Sequence, residues 1–273
     1  MASKAKDNGL RCVLAYHEIQ RSASKYLYRV TSEQFGEHLS LVFGLAKGNS
    51  AAQVPEITFD DGHRSNYEEA FPLLEKHAVK ATFFVVAGRI GTDSELMTWE
   101  QLRDLVTAGH RVQSHGWAHR LLTHCNNSDL QKEIVSSKRE LEDRLGGRVQ
   151  AISAPGGRWN DKVVEACAEA GYKHFFHSNP WAPGRNHLGL QLQGRHMMTG
   201  HMGQRELANF LKMSRSWVLF QRAKYGAKEQ VRVALGDSVY QKLWIKLAGW
   251  SSEEGMEVDV REPRNGEGGM QHS

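Results

Sequence analysis

Cysteine is scarce, with Cys12, Cys125 and Cys167 the only three in 273 residues. An odd, widely spaced set argues against a disulfide framework and fits a reducing compartment. None stands at metal-site spacing from another, so buried inert thiols are expected. Long apolar runs are also missing: no stretch approaches the ~18 residues of a membrane span. Residues 1–10 lack the apolar core of a signal peptide, so the sequence reads as that of an intracellular protein. A strong charge bias is absent too. A net charge of +4 is too mild to imply nucleic acid. No internal repeat is visible. What is present, 40% hydrophobic and 24% charged residues, describes a soluble globular chain long enough for one α/β barrel or two small domains.

Strand and helix patterns alternate along the chain. Strands are expected at 12–16, 55–59, 80–86, 110–114, 149–153 and 172–176, with a weaker one at 190–198. Helices are expected at 33–43, 65–76, 99–108, 128–145, 161–170 and 204–211. Pro72 should kink or break the second of these, and Thr98 should cap the third. In the long charged helix, Glu133, Lys138, Arg139 and Glu140 read as a solvated face. The alternation is the signature of a parallel α/β fold. Strand 80–86 is nearly continuous in apolar residues, as a sheet covered by helices requires.

The chemistry-bearing residues follow strand ends. The run Ile57-Thr58-Phe59-Asp60-Asp61-Gly62 delivers two adjacent carboxylates, which strand alternation sends in different directions. Gly62 permits a sharp exit turn. On its own, an Asp-Gly pair after a strand is usually only a turn. Ser114-His115-Gly116-Trp117-Ala118-His119 places two histidines four apart on one face of an expected helical turn, a spacing that suits one metal ion. The zinc-protease pattern needs Glu directly after the first His, where Gly116 stands. The histidine pair lacks a third ligand and a base, and the aspartate pair can supply both.

These two segments, with Ser153-Ala154-Pro155-Gly156-Gly157 as a third, resemble the polysaccharide deacetylases, the NodB-homology group of carbohydrate esterase family 4. The resemblance runs from about Cys12 to about Leu211. It implies a distorted (β/α)7-type barrel. It also implies Asp60 as catalytic base, and Asp61, His115 and His119 as ligands of one divalent metal. Zinc suits that donor set best; cobalt, manganese, iron and nickel also suit it. The oxyanion would meet the metal and a backbone N–H near Gly156.

Departures from the family pattern are specific. The third motif usually begins with Arg, which orients the base; Ser153 stands there, and Arg158 is the nearby candidate for the missing charge. Gly156 replaces an aromatic residue. The fourth motif survives only as Asn179-Pro180-Trp181, with Trp181 as a candidate pocket wall. The fifth motif, whose His is the acid, has no clear match. His201 ranks first narrowly, ahead of His177 and His196. His17, in a strand-terminal Tyr-His like the family's opening segment, and His63 are further residues expected near the cleft.

Past Arg205 the chain changes character. Residues 205–250 hold nine Lys/Arg against three Asp/Glu, with Trp217, Phe220, Trp244 and Trp250 interspersed. The expected organisation is a lead-in at 1–11, the barrel at 12–211, a basic helical appendage at 212–250 and a disordered acidic tail at 251–273. The appendage reads as packed on the barrel, with peripheral contact to an anionic membrane as a second reading. The leading functional reading is N-deacetylation of GlcNAc-type residues in a polysaccharide or glycolipid, in the cytoplasm or at the inner membrane face. The alternatives are hydrolysis of a non-sugar amide or O-acetyl ester, and a degenerate barrel that binds glycan or metal without turnover.

Overall fold

The computed structural model describes residues 11–48, 54–236 and 239. Residues 251–273, read above as a tail, lie outside these. Parallel strands β1 (Val13–Tyr16), β4 (Glu56–Phe59), β5 (Ala81–Val85), β6 (Arg111–Ser114), β7 (Ala151–Ser153) and β8 (His174–His177) pair in that order. The seventh position is one stretch in two parts. β10 (Leu190–Gly194) pairs with β8, and after Arg195 β11 (His196–Met197) pairs with β1. Arg195 N–H donates to the His177 carbonyl at 2.9 Å, and Met198 N–H to the Ala15 carbonyl at 2.8 Å. One strand therefore pairs on both sides and joins the two ends of the sheet, which gives the seven-stranded barrel that the family resemblance implies.

Alternation along the strands separates two environments. Leu14, Tyr16, Ile57, Phe59, Phe83, Val85, Ile152 and Phe175 join the large outer core under the helices. Val13, Phe84, Ala151 and Phe176 form a small separate cluster. Thr58, Thr82, Gln113 and Gln193, also buried, share the strand faces of that second set. The outer helices are α1 (Ser32–Gly48), α2 (Phe71–Lys76), α3 (Trp99–Thr107), α4 (Asn127–Gln131), α5 (Ser137–Leu145), α6 (Asp161–Glu169), α7 (Gln204–Lys212) and α8 (Arg215–Leu235). Thr98 caps α3 in a complete capping box with Gln101. Among the described residues no helix is long and apolar enough to cross a membrane.

The structure corrects several expectations. Two short pairings escaped the periodicity: β2 (Glu18–Gln20) with β3 (Arg29–Thr31), and β9 (Arg185–His187) antiparallel to β10. Leu188 and Gly189 link the last two with φ of 49° and 86°, the left-handed geometry of a tight hairpin turn. Helices 65–76 and 128–145 each contain a π-helical turn, Asn66–Ala70 and Lys132–Ser136. Pro72 has no N–H for the ordinary bond to residue 68, and the wider turn ends just before it, with Phe71 N–H on the Asn66 carbonyl. Glu133, in the second of these turns, is 2% exposed; it does not belong to a solvated face.

Partly buried His196 stacks on Phe210 of α7, with ring centroids 4.0 Å apart. Burial lowers its pKa to about 4. The unfolded chain takes up this proton near the ordinary value of 6.5, so stability should fall as pH drops from 6.5 to 4. Across that window the loss reaches ~3 kcal/mol. His196→Phe keeps the stack and removes the titration. Its unfolding free energy should change by about 2 kcal/mol less than wild type between pH 7 and pH 5. Parallel denaturant curves at the two pH values, with identical differences for both proteins, would overturn this assignment.

Candidate active site

Asp60 continues the β4 ladder, its N–H donating to the Tyr16 carbonyl at 2.9 Å. The chain then turns sharply, with φ of 71° at Asp61 and 82° at Gly62. A Cβ on Gly62 would lie 3.0 Å from Val85 Cγ1, so glycine meets both the backbone and the space requirement. Asp61 has no such exemption and holds a left-handed conformation that costs about 1–3 kcal/mol. The turn leaves both buried carboxylates beside His115, with Asp60 Oδ2 at 3.9 Å and Asp61 Oδ1 at 3.3 Å from its Nε2.

The histidine pair converges by a different route from the one its spacing suggests. Residues 115–119 form a loop, not a helical turn, with φ of 82° at Gly116 and 63° at His119. His115 Nδ1 lies 2.9 Å from the Ser153 carbonyl. That contact makes Nδ1 the protonated nitrogen and leaves the Nε2 lone pair directed at the aspartates. Asp61 Oδ1 stands 3.3 Å from His115 Nε2 and 3.2 Å from His119 Nε2. It makes no well-directed hydrogen bond with either, and His119 Nδ1 is buried without a partner. One ligand atom from each of Asp61, His115 and His119 lies within 4.8 Å of the others, and all three residues are buried.

Atoms that meet at one point without bonding pairwise are what a shared cation requires. A carboxylate with two imidazoles is a donor set of the zinc type. The electrostatics agree. Burial would raise the Asp61 pKa, but the surrounding imidazoles hold it well below its usual range. Burial would lower the His115 pKa, and Asp60 with Asp61 overcome this and raise it. The cluster attracts positive charge.

Asp60 has a partner that the sequence did not suggest. Arg195, between β10 and β11, grips it with both guanidinium arms: Nη1 to Oδ1 at 2.7 Å and Nη2 to Oδ2 at 2.6 Å. Nη2 also donates to Ser153 Oγ at 2.7 Å, and Nη1 to Thr58 Oγ1 at 3.2 Å. The guanidinium carbon lies 5.2 Å from the Phe84 ring and 5.8 Å from the Phe176 ring. Burial would push the Asp60 pKa up, and Arg195 overrides it and holds the carboxyl below its ordinary value. The guanidinium on Asp60 is thus Arg195 and not Arg158, and Ser153 vacates the room it occupies. The readable signal was one arginine inside an otherwise alternating strand, a position that demands a buried counter-charge.

The candidate acids separate clearly. His17 follows β1, stacks on Tyr28 with centroids 4.7 Å apart, and has an enclosed Nδ1 without a partner. Burial lowers its pKa against the pull of Asp61 and Asp60, both close enough to act on it. Asn66, buried on the first π turn, donates to the His17 carbonyl at 2.6 Å and fixes the strand exit. His201 is exposed on the turn before α7. His196 is committed to the Phe210 stack. His177 is buried at the end of β8 with a pKa lowered to about 4 by burial, Arg195 and Arg185. His63 lies beside Ser65, Glu18 and Glu95. Trp181 is buried against Phe210 and Trp217 and serves packing in place of the expected pocket wall. Gly156 is exposed in the turn Pro155–Gly157 with φ of 64°.

Residues 47–175 match the family model described as polysaccharide deacetylase. Among curated relatives, YxkH of Bacillus subtilis, which carries a polysaccharide deacetylase name, is 33% identical over 130 residues, 48% of this chain and 46% of that protein. A chitooligosaccharide deacetylase of Sinorhizobium fredii is 32% identical over 117 residues, 42% of this chain and 52% of that one. The chain thus spans about half the length of these relatives. The solved structure of Streptococcus pyogenes deacetylase PplD shares the fold, with a TM-score of 0.64 at 24% identity over 74% of this chain and 98% of that chain. His17 and Arg195 lie outside the matched residues. Both aspartates, both histidines and Ser153 lie inside them, so the segment that is similar to the polysaccharide deacetylase family model is the one that carries the candidate site.

Proposed function

We propose that this protein is a metal-dependent deacetylase that removes N-acetyl groups from GlcNAc-type residues of a glycan or glycolipid. The observation that carries the reading is the convergence of Asp61, His115 and His119 beside a separately held Asp60. Those three side chains would hold a divalent cation, zinc by their donor type, which when bound would supply the positive charge that acidifies water and polarises an amide carbonyl. Asp60 accepts the proton of the attacking water. Its lowered pKa makes it a weak base that is ionised throughout the neutral range, which suits water that is already acidified. Arg195 orients that carboxylate. His17 replaces His201 as the proposed acid for the departing amine, and burial makes it the stronger acid once protonated. The N–H groups near Gly156 remain the proposed oxyanion donors, and Arg158 a proposed glycan contact.

Acetate release from N-acetylated chitooligosaccharides tests the reading. Activity should vanish with a chelator and return with Zn2+ or Co2+. His17→Ala should lower the rate about 100-fold or more, and His201→Ala should leave it within about twofold. Release from O-acetyl esters or non-sugar amides alone would move the substrate class. No release from any of them would reject the reading.

The relatives' names supply acetylated sugar polymers as the substrate class, and a membrane contact is a separate proposal. On α8, Leu219 and Phe220 are 63% and 65% exposed, and Lys224 and Lys228 stand on the same helix. Apolar and basic side chains together suit an anionic lipid surface. Co-sedimentation with vesicles containing phosphatidylglycerol, lost in Leu219→Ser/Phe220→Ser, is expected; equal sedimentation of both proteins would exclude it.

A further inference from the structure

The loop that carries His115 and His119 holds two left-handed residues, a conformation that a short loop does not keep unaided. Its carbonyls are held from one side, with Ala87 N–H on the Gly116 carbonyl at 3.0 Å and Gly88 N–H on the Trp117 carbonyl at 2.9 Å. The Gly116 N–H donates to Ser114 Oγ at 3.1 Å, and the next two N–H groups are held by a single side chain. Trp117 N–H donates to Glu133 Oε2 at 2.8 Å, and Ala118 N–H lies 3.1 Å from both Oε1 and Oε2. A Cβ on Gly116 would fall 2.6 Å from Oε2, so glycine is what lets the carboxylate come so close. Glu133 projects from the π-helical Lys132–Ser136 turn, where it is buried beside Ile134.

We propose that Glu133 is a positioning residue: its buried carboxylate fixes the 117–118 backbone so that the imidazoles of His115 and His119 converge on Asp61. His115 has independent anchors, through its N–H on the Val85 carbonyl at 2.8 Å and its ring on Ser153. His119 lies just beyond the braced segment, and its conformation depends on Glu133. The consequence for metal affinity rests on the metal reading above; the brace itself does not. Groups that hold ligands in place typically contribute 10–100-fold in affinity.

The test uses the full chain stripped with chelator, and Glu133→Gln, which keeps the volume but removes the charge and replaces one accepting oxygen with an NH2. Hydrogen exchange at the Trp117 and Ala118 amides should quicken at least about tenfold. The Zn2+ dissociation constant, measured by competition with a chelating dye, should rise about 10–100-fold. Leu141→Ala, a core truncation on α5, is the control for general destabilisation and should lower the melting temperature with zinc affinity intact. If Glu133→Gln does not fold, Gly116→Ala disturbs the same contact from the loop side. Unchanged exchange at both amides overturns the proposal. So does a zinc affinity that falls equally in Leu141→Ala, or one within twofold of wild type in Glu133→Gln. Faster exchange in a protein that takes up no zinc would establish the brace and remove the metal reading instead.

Discussion

Replacing Arg195 by Met should remove about 3–5 kcal/mol of stability at neutral pH, together with most of the hydrolytic rate. The magnitude follows from what stays behind. Asp60 is 2% exposed and Arg195 1% exposed. Methionine fills the space between Phe84 and Phe176 but leaves a buried carboxylate with no counter-charge. In wild type the carboxyl is held below its ordinary pKa, so its contribution to stability is present above about pH 4 and is lost as pH falls through the lowered value. In the variant burial is opposed only by His115 and His17, the pKa rises, and stability is lost progressively above the ordinary value. The difference between the two proteins should therefore be large at pH 7 and small near pH 4. The acid limb of the rate profile should move to higher pH, because Asp60 must lose its proton to act as a base. Arg195→Lys keeps the charge without the two-armed geometry and should fall between the two. Denaturant curves at both pH values check the first claim and a pH–rate profile the second. A cost below about 1 kcal/mol with an unmoved acid limb would mean that Arg195 is not the residue that governs Asp60.

How much of this site was legible depended on whether its parts were neighbours in the chain. Asp60 with Asp61, and His115 with His119, each form a compact motif at a strand end. The strand pattern therefore delivered both pairs to the same rim of the barrel. The spacing of the histidines did not reveal how they converge, since a separation of four suits a helical turn and a loop alike. Gly116 was the clue, because a glycine that must take φ of 82° is out of place in a helix. Arg195 was not legible as a motif because Asp60 lies in one strand and Arg195 in another, and their pairing follows from a ring that closes on a single divided strand. His17 was noticed for its place after β1 but not given a role, and His201 was preferred on local sequence alone. Glu133 sits in a run of charged residues and was read with them, although it stands three residues after buried Leu130 and beside buried Ile134, at the edge of the core-facing stripe. Periodicity assumes a constant period, and both π turns are where it changes. Strands of two or three residues, such as β2, β3 and β9, give too few positions for alternation to register.

Asp60→Asn should lower the rate of acetate release by about 10²–10⁴-fold, the usual contribution of a positioned general base. Taken alone, that loss is ambiguous. The amide cannot take up a proton, but it also leaves Arg195 buried beside a neutral group, so the protein should lose stability as well. The double variant Asp60→Asn/Arg195→Met separates the two effects. Removing both charges leaves no uncompensated ion, and exchanging a buried pair for neutral groups of similar volume is often close to neutral in stability. The double variant should therefore recover much of the stability that either single change removes, a coupling that residues in direct contact are expected to show. Its rate should stay as low as that of Asp60→Asn, because nothing has replaced the base. Zinc uptake should be kept in both proteins, since Asp61, His115 and His119 are untouched. Recovery of stability without recovery of rate would make Asp60 the base and Arg195 its support. A double variant that regains more than about a tenth of the wild-type rate would show that Asp60 serves the site through its ion pair and that the attacking water gives its proton to another group.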